Sequence, residues 1–281
     1  KYKKEIPYEK KPLTAVEALE IIKNEIISIN EKYLAKGKKV VGVGIGIHGL
    51  VDSNKGISIF APNLGWRNIN IVETLEKATN IPVYIDNNTR TMGLGERWFG
   101  TGKNVSSFFC LNVEYGIGGS LFIADNSFSG VSFGAGEIGH TTVDVNGEIC
   151  SCGNRGCLET IASVKALTKM AFEGYNEHKD SSIFECQDIN SPDDILPEKI
   201  FESARMGDEF AISLIRRIGE NIGIGIANII NTLNPELVII NGGIISTGEI
   251  LLDPIVETVR KKGFSNSVNA TDIVLSKLGN V

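Results

Sequence analysis

Cys150, Cys152 and Cys157 stand as C-x-C-x4-C inside a Gly/Asn-rich loop, and His140 lies ten residues upstream of the first of them. Three thiolates and one imidazole make a closed tetrahedral donor set, the pattern of a structural Zn2+ site, with no ligand position left for a catalytic water. Free thiols or a disulfide are the plainer alternatives. With five cysteines and no apolar secretory leader, a disulfide framework is disfavoured. Cys110 and Cys186 sit in apolar or isolated contexts and read as ordinary thiols. Glu137 precedes His140 by three residues and Glu159 follows Cys157 by two. A metal loop that fixes two carboxylates offers a rigid pair of hydroxyl acceptors, which is what reading adjacent hydroxyls of a sugar requires; the alternative is that both merely solvate a loop. The runs EYGIGG (114–119) and NGG (241–243) each follow an apolar strand. Their Gly116, Gly118, Gly119, Gly242 and Gly243 can cradle phosphates through backbone N–H groups, or simply turn the chain.

These groups need elements to hold them. Residues 13–36 carry Val16, Leu19, Ile22, Ile26, Ile29 and Tyr33 at three- and four-residue steps, with Thr14 as N-cap, Glu17 closing a capping box and Gly37 as stop, so an amphipathic helix is expected. KVVGVGIGI (39–47) reads as a buried strand closely approached by another backbone or a ligand. A turn at 52–56, a strand at 57–60, a helix near 71–79, a strand at 83–85 and a helix over 89–99 continue the strand–helix alternation of an α/β fold. The polar stretch 100–104 is the expected boundary between a small N-terminal lobe (1–104) and a larger lobe (105–281). In the second lobe the expectation is a hairpin from 107–113 and 120–124, a cysteine-bearing loop over 127–157, helices from 163 and a buried strand at 237–240. Gly219, Gly223 and Gly225 inside the helix 210–233 point to close packing, since each otherwise costs about 1 kcal/mol against Ala.

Composition narrows the class. The 281 residues are 42% hydrophobic and 22% charged, enough apolar surface to fold, and their 31 glycines exceed the usual ~7%. A net charge of −6 makes the chain a poor partner for a phosphate backbone. The longest apolar-looking run, 40–51, holds four glycines and His48 and is far shorter than the ~20 residues of a membrane helix. The charged start KYKKEIPYEKK favours the cytoplasm, and a first residue that is Lys rather than Met suggests a fragment.

The run GAGEIGHTTVDVNGEICSCGNRGCLETIAS (134–163) resembles the signature of the ROK family, bacterial repressors and sugar kinases on a two-lobed actin/hexokinase-like ATPase (ribonuclease H-like) fold, here with its N-terminal part incomplete. GVGIGIHGLVD (42–52), APNLGW (61–66), DNNTRTMGLGE (86–96) and NIINTLNPELVIINGG (228–243) are similar to other segments of that family. The resemblance implies zinc on His140, Cys150, Cys152 and Cys157. It also implies that Glu137, His140 and Glu159 hold sugar hydroxyls, with contributions from the Gly49 turn and from Asn63, Asn87 and Asn88.

The sequence departs from the family's kinases in three places. Their N-D-x-N motif carries a proton-accepting Asp; counted back from Glu96, that position is Asn88, whose amide cannot take a proton. Asp86, two residues away in an expected strand end, would point the same way and is the possible substitute. Where kinases show Gly-Thr-Gly at the phosphate turn, this chain has Glu114, Tyr115 and Gly116, a carboxylate and a ring opposed to nucleotide phosphates. The family's N-terminal phosphate loop is not found in 1–281. His48 replaces a common proline; it reads either as an extra sugar or pH-sensitive contact or as a satisfied turn residue. Trp66 and Trp98 read as core.

The expected function is therefore a catalytically inactive, sugar-sensing effector domain of a regulator. Its monosaccharide would lie between 1–104 and 105–281, and a helix-turn-helix outside this chain would read operator DNA in a homodimer. The alternative is a sugar kinase using ATP and Mg2+, with Asp86 as base; a ligand-free structural protein is the third reading.

Overall fold

The computed structural model describes residues 13–185 and 188–278. The charged start at 1–12 and Cys186 lie outside the described residues. The chain separates into two units, one running up to Thr91 and taking in Val131–Gly134, the other comprising Met92–Gly130 and the chain from Ala135 onward.

In the first unit, α1 (Ala15–Leu34) starts at Thr14, whose hydroxyl accepts from Glu17 N–H while the Glu17 carboxylate accepts from Thr14 N–H at 2.8 Å, the expected capping box. Leu19, Ile22 and Ile26 pack into the core, whereas Val16 and Tyr33 stand exposed, so the buried stripe is narrower than the periodicity predicts. Strand β1 (Val43–Ile47) begins four residues later than expected. It is not a buried strand: only Ile47 is buried, because among the described residues β1 pairs with a single neighbour and alternate residues remain open. Next come β2 (Leu50–Asp52), β3 (Ile57–Ala61) and β4 (Trp66–Asn70), an antiparallel sheet of which the sequence predicted only β3. Helix α2 (Ile71–Thr79) leads to β5 (Val83–Asn87), which runs parallel to β1 with Val43 opposite Val83 and Ile47 opposite Asn87. Helix α3 (Asn88–Phe99) follows without a break, and the units divide within it. Trp66 is buried as expected, its indole N–H donating to Leu13 O at 3.3 Å. Trp98 is not core: it is 57% exposed and edge-on to Phe99. Glu96 marks the inward face of α3, and two residues along a helix turn the side chain about 200° away from it.

The second unit is built on a five-stranded sheet: β6 (Ser107–Val113), β7 (Ile117–Ile123) and β8 (Asn126–Phe128), then helices α4 (Glu159–Ala162), α5 (Val164–Gly174), α6 (Pro197–Arg205) and α7 (Glu209–Leu233), then β9 (Leu237–Asn241), α8 (Glu249–Lys262), α9 (Ser265–Asn269) and β10 (Asp272–Leu275). The strand order is β10-β9-β6-β7-β8, parallel from β10 to β6 and antiparallel from β6 to β8. The period of two along β6 divides its side chains between two cores. Phe109, Leu111 and Val113 join the large cluster formed with α4–α8, while Phe108 and Cys110 join Phe122, Met92 and Leu94. The hairpin turn is tighter than predicted, because Gly118 and Gly119 lie inside β7.

The glycines of α7 are contact points, as their spacing suggested. A Cβ on Gly219 would lie 2.8 Å from Leu251 O and 2.7 Å from a Pro254 carbon; on Gly223, 2.9 Å from Ile255 O and 2.7 Å from Thr258 Cβ; on Gly225, 2.4 Å from Leu158 Cδ2. Backbone carbonyls and a ring cannot retreat, so α8 sits directly against the glycine face. Gly95 in α3 meets nothing nearer than Leu278 Cδ1 at 3.9 Å. Gly223→Val is expected to destabilise by about 2 kcal/mol or more through overpacking, and Gly95→Ala to stabilise by roughly 0.5–1 kcal/mol through helix propensity. Urea unfolding of both variants reads the opposite signs, and equal effects would contradict the packing argument.

Candidate functional site

The cysteine loop has little regular structure, so its geometry rests on turns. Cys150 N–H donates to Asn154 O at 2.7 Å and Gly153 N–H returns to Cys150 O at 2.9 Å, which curls 150–154 into a knuckle. Isolated bridges join Thr142 to Cys157 and Ile149 to Arg155. Gly156 adopts φ +68, and a Cβ there would lie 1.5 Å from Asp144 O, so no other residue fits between the two arms of the loop.

This folding brings one donor atom each from His140, Cys150, Cys152 and Cys157 within 4.8 Å of one another. Two edges of this set measure 3.6 Å, from Cys150 Sγ to His140 Nδ1, and 3.7 Å, from Cys152 Sγ to Cys157 Sγ. Zn–S bonds of ~2.3 Å and a Zn–N bond of ~2.0 Å in a tetrahedron demand donor–donor edges of about 3.5–3.8 Å. Two of the edges thus have that length, and the donor chemistry of the four side chains is one that could hold a metal such as zinc. Burial, with the neighbouring Cys152 and Cys150 thiols, pushes the Cys157 thiol up to about 12, while the Asn154 backbone beside Cys152 lowers the thiol there. A cation among them removes that opposition to ionisation.

His140 ends the short turn Ile138–His140, of which Glu137 is the N-cap. With Nδ1 toward the sulfur cluster, its Nε2 lies 3.9 Å from Glu137 Oε2. One imidazole thus joins the metal set to the first of the two expected sugar carboxylates. The second, Glu159, opens α4 and accepts from Ile117 N–H through Oε2 at 2.9 Å. The same oxygen would lie 2.7 Å from a Cβ on Gly116, so the 114–116 turn closes directly onto this carboxylate.

Glu114 does more than crowd the phosphate turn. Its Oε1 accepts from Gly243 N–H at 2.9 Å and its carbonyl accepts from Val164 N–H at 2.8 Å. Gly242 has φ +113, and Gly243 starts the turn Gly243–Thr247. A carboxylate from one glycine turn therefore occupies a backbone N–H of the other, while Tyr115 is 66% exposed beside it.

In the first unit, Gly49 adopts φ +93 with Phe60 O 2.3 Å from its would-be Cβ, and Asn87 Nδ2 donates to its carbonyl at 2.8 Å. Asn87 Oδ1 meanwhile accepts from Thr89 N–H and Arg90 N–H, so this buried amide caps α3 and braces the Gly49 turn. Asn63 is exposed, with His48 Nε2 3.2 Å from its Nδ2. Asn88 is the first residue of α3, not part of a strand, so the two-residue alternation expected to align Asp86 with Asn88 does not apply. Asp86 Oδ1 instead accepts from Arg90 Nε at 2.6 Å and Asn87 N–H at 2.8 Å. Sequence reading missed Arg90, which is 3% exposed and also donates to Val51 O and Phe133 O. Its four-residue spacing from Asp86 was the available signal. Cys110, expected as an ordinary thiol, is buried, accepting from Asn241 Nδ2 at 3.1 Å, and burial pushes its thiol up to about 12. Among the described residues no helix is long and apolar enough to cross a membrane.

Comparison with known proteins settles the class. A ROK-family regulator described as a homologue of the E. coli MLC protein superposes with TM-score 0.85 at 29% identity, covering 94% of this chain and 65% of the other. A ROK-family glucokinase from Streptomyces griseus, in complex with glucose and AMPPNP, gives 0.82 at 29%, covering 96% and 85%. The fold is thus the mixed α/β, actin/hexokinase-like ATPase type. The family model "ROK family" matches residues 2–281, and the chain belongs to the ROK family. A xylose repressor from Caldicellulosiruptor bescii is 35% identical over 241 residues, 86% of this chain; the chain spans 60% of that repressor's length.

Cys157→Ser is expected to release bound zinc, measured as loss of about one equivalent in a chromophoric chelator assay. It should also lower Tm by about 5 °C or more. Retention of stoichiometric metal would remove Cys157 from the ligand set.

Proposed function

We propose that this chain is the sugar-sensing effector domain of a ROK-family regulator, binding a monosaccharide without phosphorylating it. The observation that carries this reading is at the head of α3. Asn88 supplies an amide where the family's kinases resemble one another in having an Asp, and the nearby Asp86 carboxylate is the counter-ion of a buried guanidinium. An amide hydrogen-bonds a hydroxyl but leaves its proton in place. The carboxylate of Glu114 on Gly243 N–H supports the same conclusion, because nucleotide phosphates would meet a like charge in that turn.

Glu137, His140 and Glu159 hold sugar hydroxyls in this proposal, with Asn63 and Asn88 as further partners and Gly49 and Asn87 shaping the turn that presents them. Zinc fixes His140 through Nδ1 and so sets the position of Glu137. Operator DNA is read by residues outside this chain, in a homodimer; the net charge of −6 makes this chain itself a weak match for a phosphate backbone.

The test is thermal denaturation of zinc-loaded protein with a monosaccharide panel that includes D-xylose and D-glucose, each with and without ATP and Mg2+. A ligand at a hundred times its dissociation constant adds about 2.7 kcal/mol. A matching sugar should raise Tm, ATP–Mg2+ alone should not, and no ADP should form. Sugar-dependent ADP release would establish the kinase reading instead, and a flat response to every sugar would leave a structural protein. Glu159→Gln keeps an acceptor for Ile117 N–H yet removes the charge, so it should weaken sugar binding by about tenfold with zinc content unchanged.

A further inference from the structure

His48 stands where a proline is common, and its ring is not an idle turn residue. Strands β2 and β3 pair antiparallel with Leu50 opposite Phe60. Continued past the strand ends, that register sets Gly49 beside Ala61 and His48 beside Pro62–Leu64, the short turn that carries Asn63. Gly49 packs against Phe60 O and Ala61 Cα, and Asn87 Nδ2 holds its carbonyl, so the backbone under the imidazole is fixed from two sides. The ring then meets one partner through Nε2, the Asn63 Nδ2 at 3.2 Å.

A primary amide presents a donor at one end and an acceptor at the other, and a half-turn about its last torsion exchanges them. On an exposed side chain the two orientations are close in energy unless a neighbour selects one. Nε2 accepts from Nδ2–H when the ring proton is on Nδ1. That choice leaves Asn63 Oδ1 and its second N–H for a ligand.

We infer that His48 is a positioning residue for the sugar site: its Nε2, 3.2 Å from Asn63 Nδ2, orients the Asn63 amide so that Oδ1 is presented as an acceptor to a sugar hydroxyl. The inference rests on the sugar-binding reading above and deepens it. Proline at this position has no side-chain acceptor, so the amide orientation would be selected there by other means. The consequence is specificity, because a fixed acceptor discriminates among hydroxyl positions while a freely turning amide does not.

Isothermal titration with D-xylose, D-glucose and other monosaccharides first identifies the sugar that wild-type protein binds, and that sugar is the probe. His48→Ala should weaken it by about three- to tenfold, the worth of one neutral hydrogen bond. His48→Gln, whose Oε1 can accept from Asn63 Nδ2, should remain within about twofold of wild type. In an Asn63→Ala background the His48→Ala change should have no further effect, which is the readout that a general role in folding the turn would not give. Equal binding by wild type and His48→Ala, or an undiminished loss in the Asn63→Ala background, overturns the inference and leaves the functional reading standing. Failure of wild-type protein to bind any sugar overturns both.

Discussion

Four donor atoms drawn within 4.8 Å organise the part of this molecule that has least to hold it otherwise. Between β8 and α4 the chain contributes one 3-10 turn and two isolated bridges, with Ile138 and Val143 only partly buried against the core. A loop of that length without its own secondary structure is uncommon unless function or a ligand sustains it. Here backbone hydrogen bonds such as Gly156 N–H to Glu148 O join the two arms, Gly156 permits them to touch, and the sulfur–imidazole cluster lies where they meet. Glu137 lies one 3-10 turn before His140 and Glu159 two residues beyond Cys157, so the positions of both carboxylates derive from the same centre.

The turn between β6 and β7 is clamped from two directions. Glu159 receives Ile117 N–H on one side, and on the other Glu114 reaches Gly243 N–H while its backbone carbonyl receives Val164 N–H. Backbone N–H groups in glycine turns attract anions, and this chain meets that attraction with its own side chain. A phosphate arriving there has to displace a carboxylate that is already hydrogen-bonded. The clamp also links a proposed sugar ligand, Glu159, through the hairpin turn to the start of the segment that leads into α8. A shift of Glu159 toward a sugar would be felt at Gly116 directly.

The parts of the fold legible in the sequence were those with a local cause. The capping box at Thr14, α2 over Ile71–Thr79 and the strand at β9 follow from spacing and caps that act within a few residues. The cluster of His140, Cys150, Cys152 and Cys157 that could hold a metal was legible because thiol and imidazole chemistry has few other uses at that spacing. Strands β2 and β4 were not, since Leu50–Asp52 is too short to show a period and Trp66–Asn70 has its pattern broken by Arg67 and Asn68, the latter at φ +50. Trp98 was misplaced because an aromatic residue signals burial only when its helix face is known. Glu114 was read as repulsion alone; its partner Gly243 is 129 residues away, and no local rule connects them.

The same limit governs Asp86 and Asn88. Two residues apart in a strand, they would share a face; β5 ends at Asn87, and from there each residue turns about 100° rather than 180°. The transition is set by Asn87, which caps the helix with Oδ1 and braces Gly49 with Nδ2. Arg90, the third residue of α3, is buried and needs an anion, since removing one partner of a buried ion pair leaves an uncompensated charge. Asp86 meets that need, and through Arg90 it also holds Val51 O and Phe133 O in place. The carboxylate nearest to Asn88 in sequence is thus the counter-ion of Arg90, and the strand-to-helix junction is built around that pair.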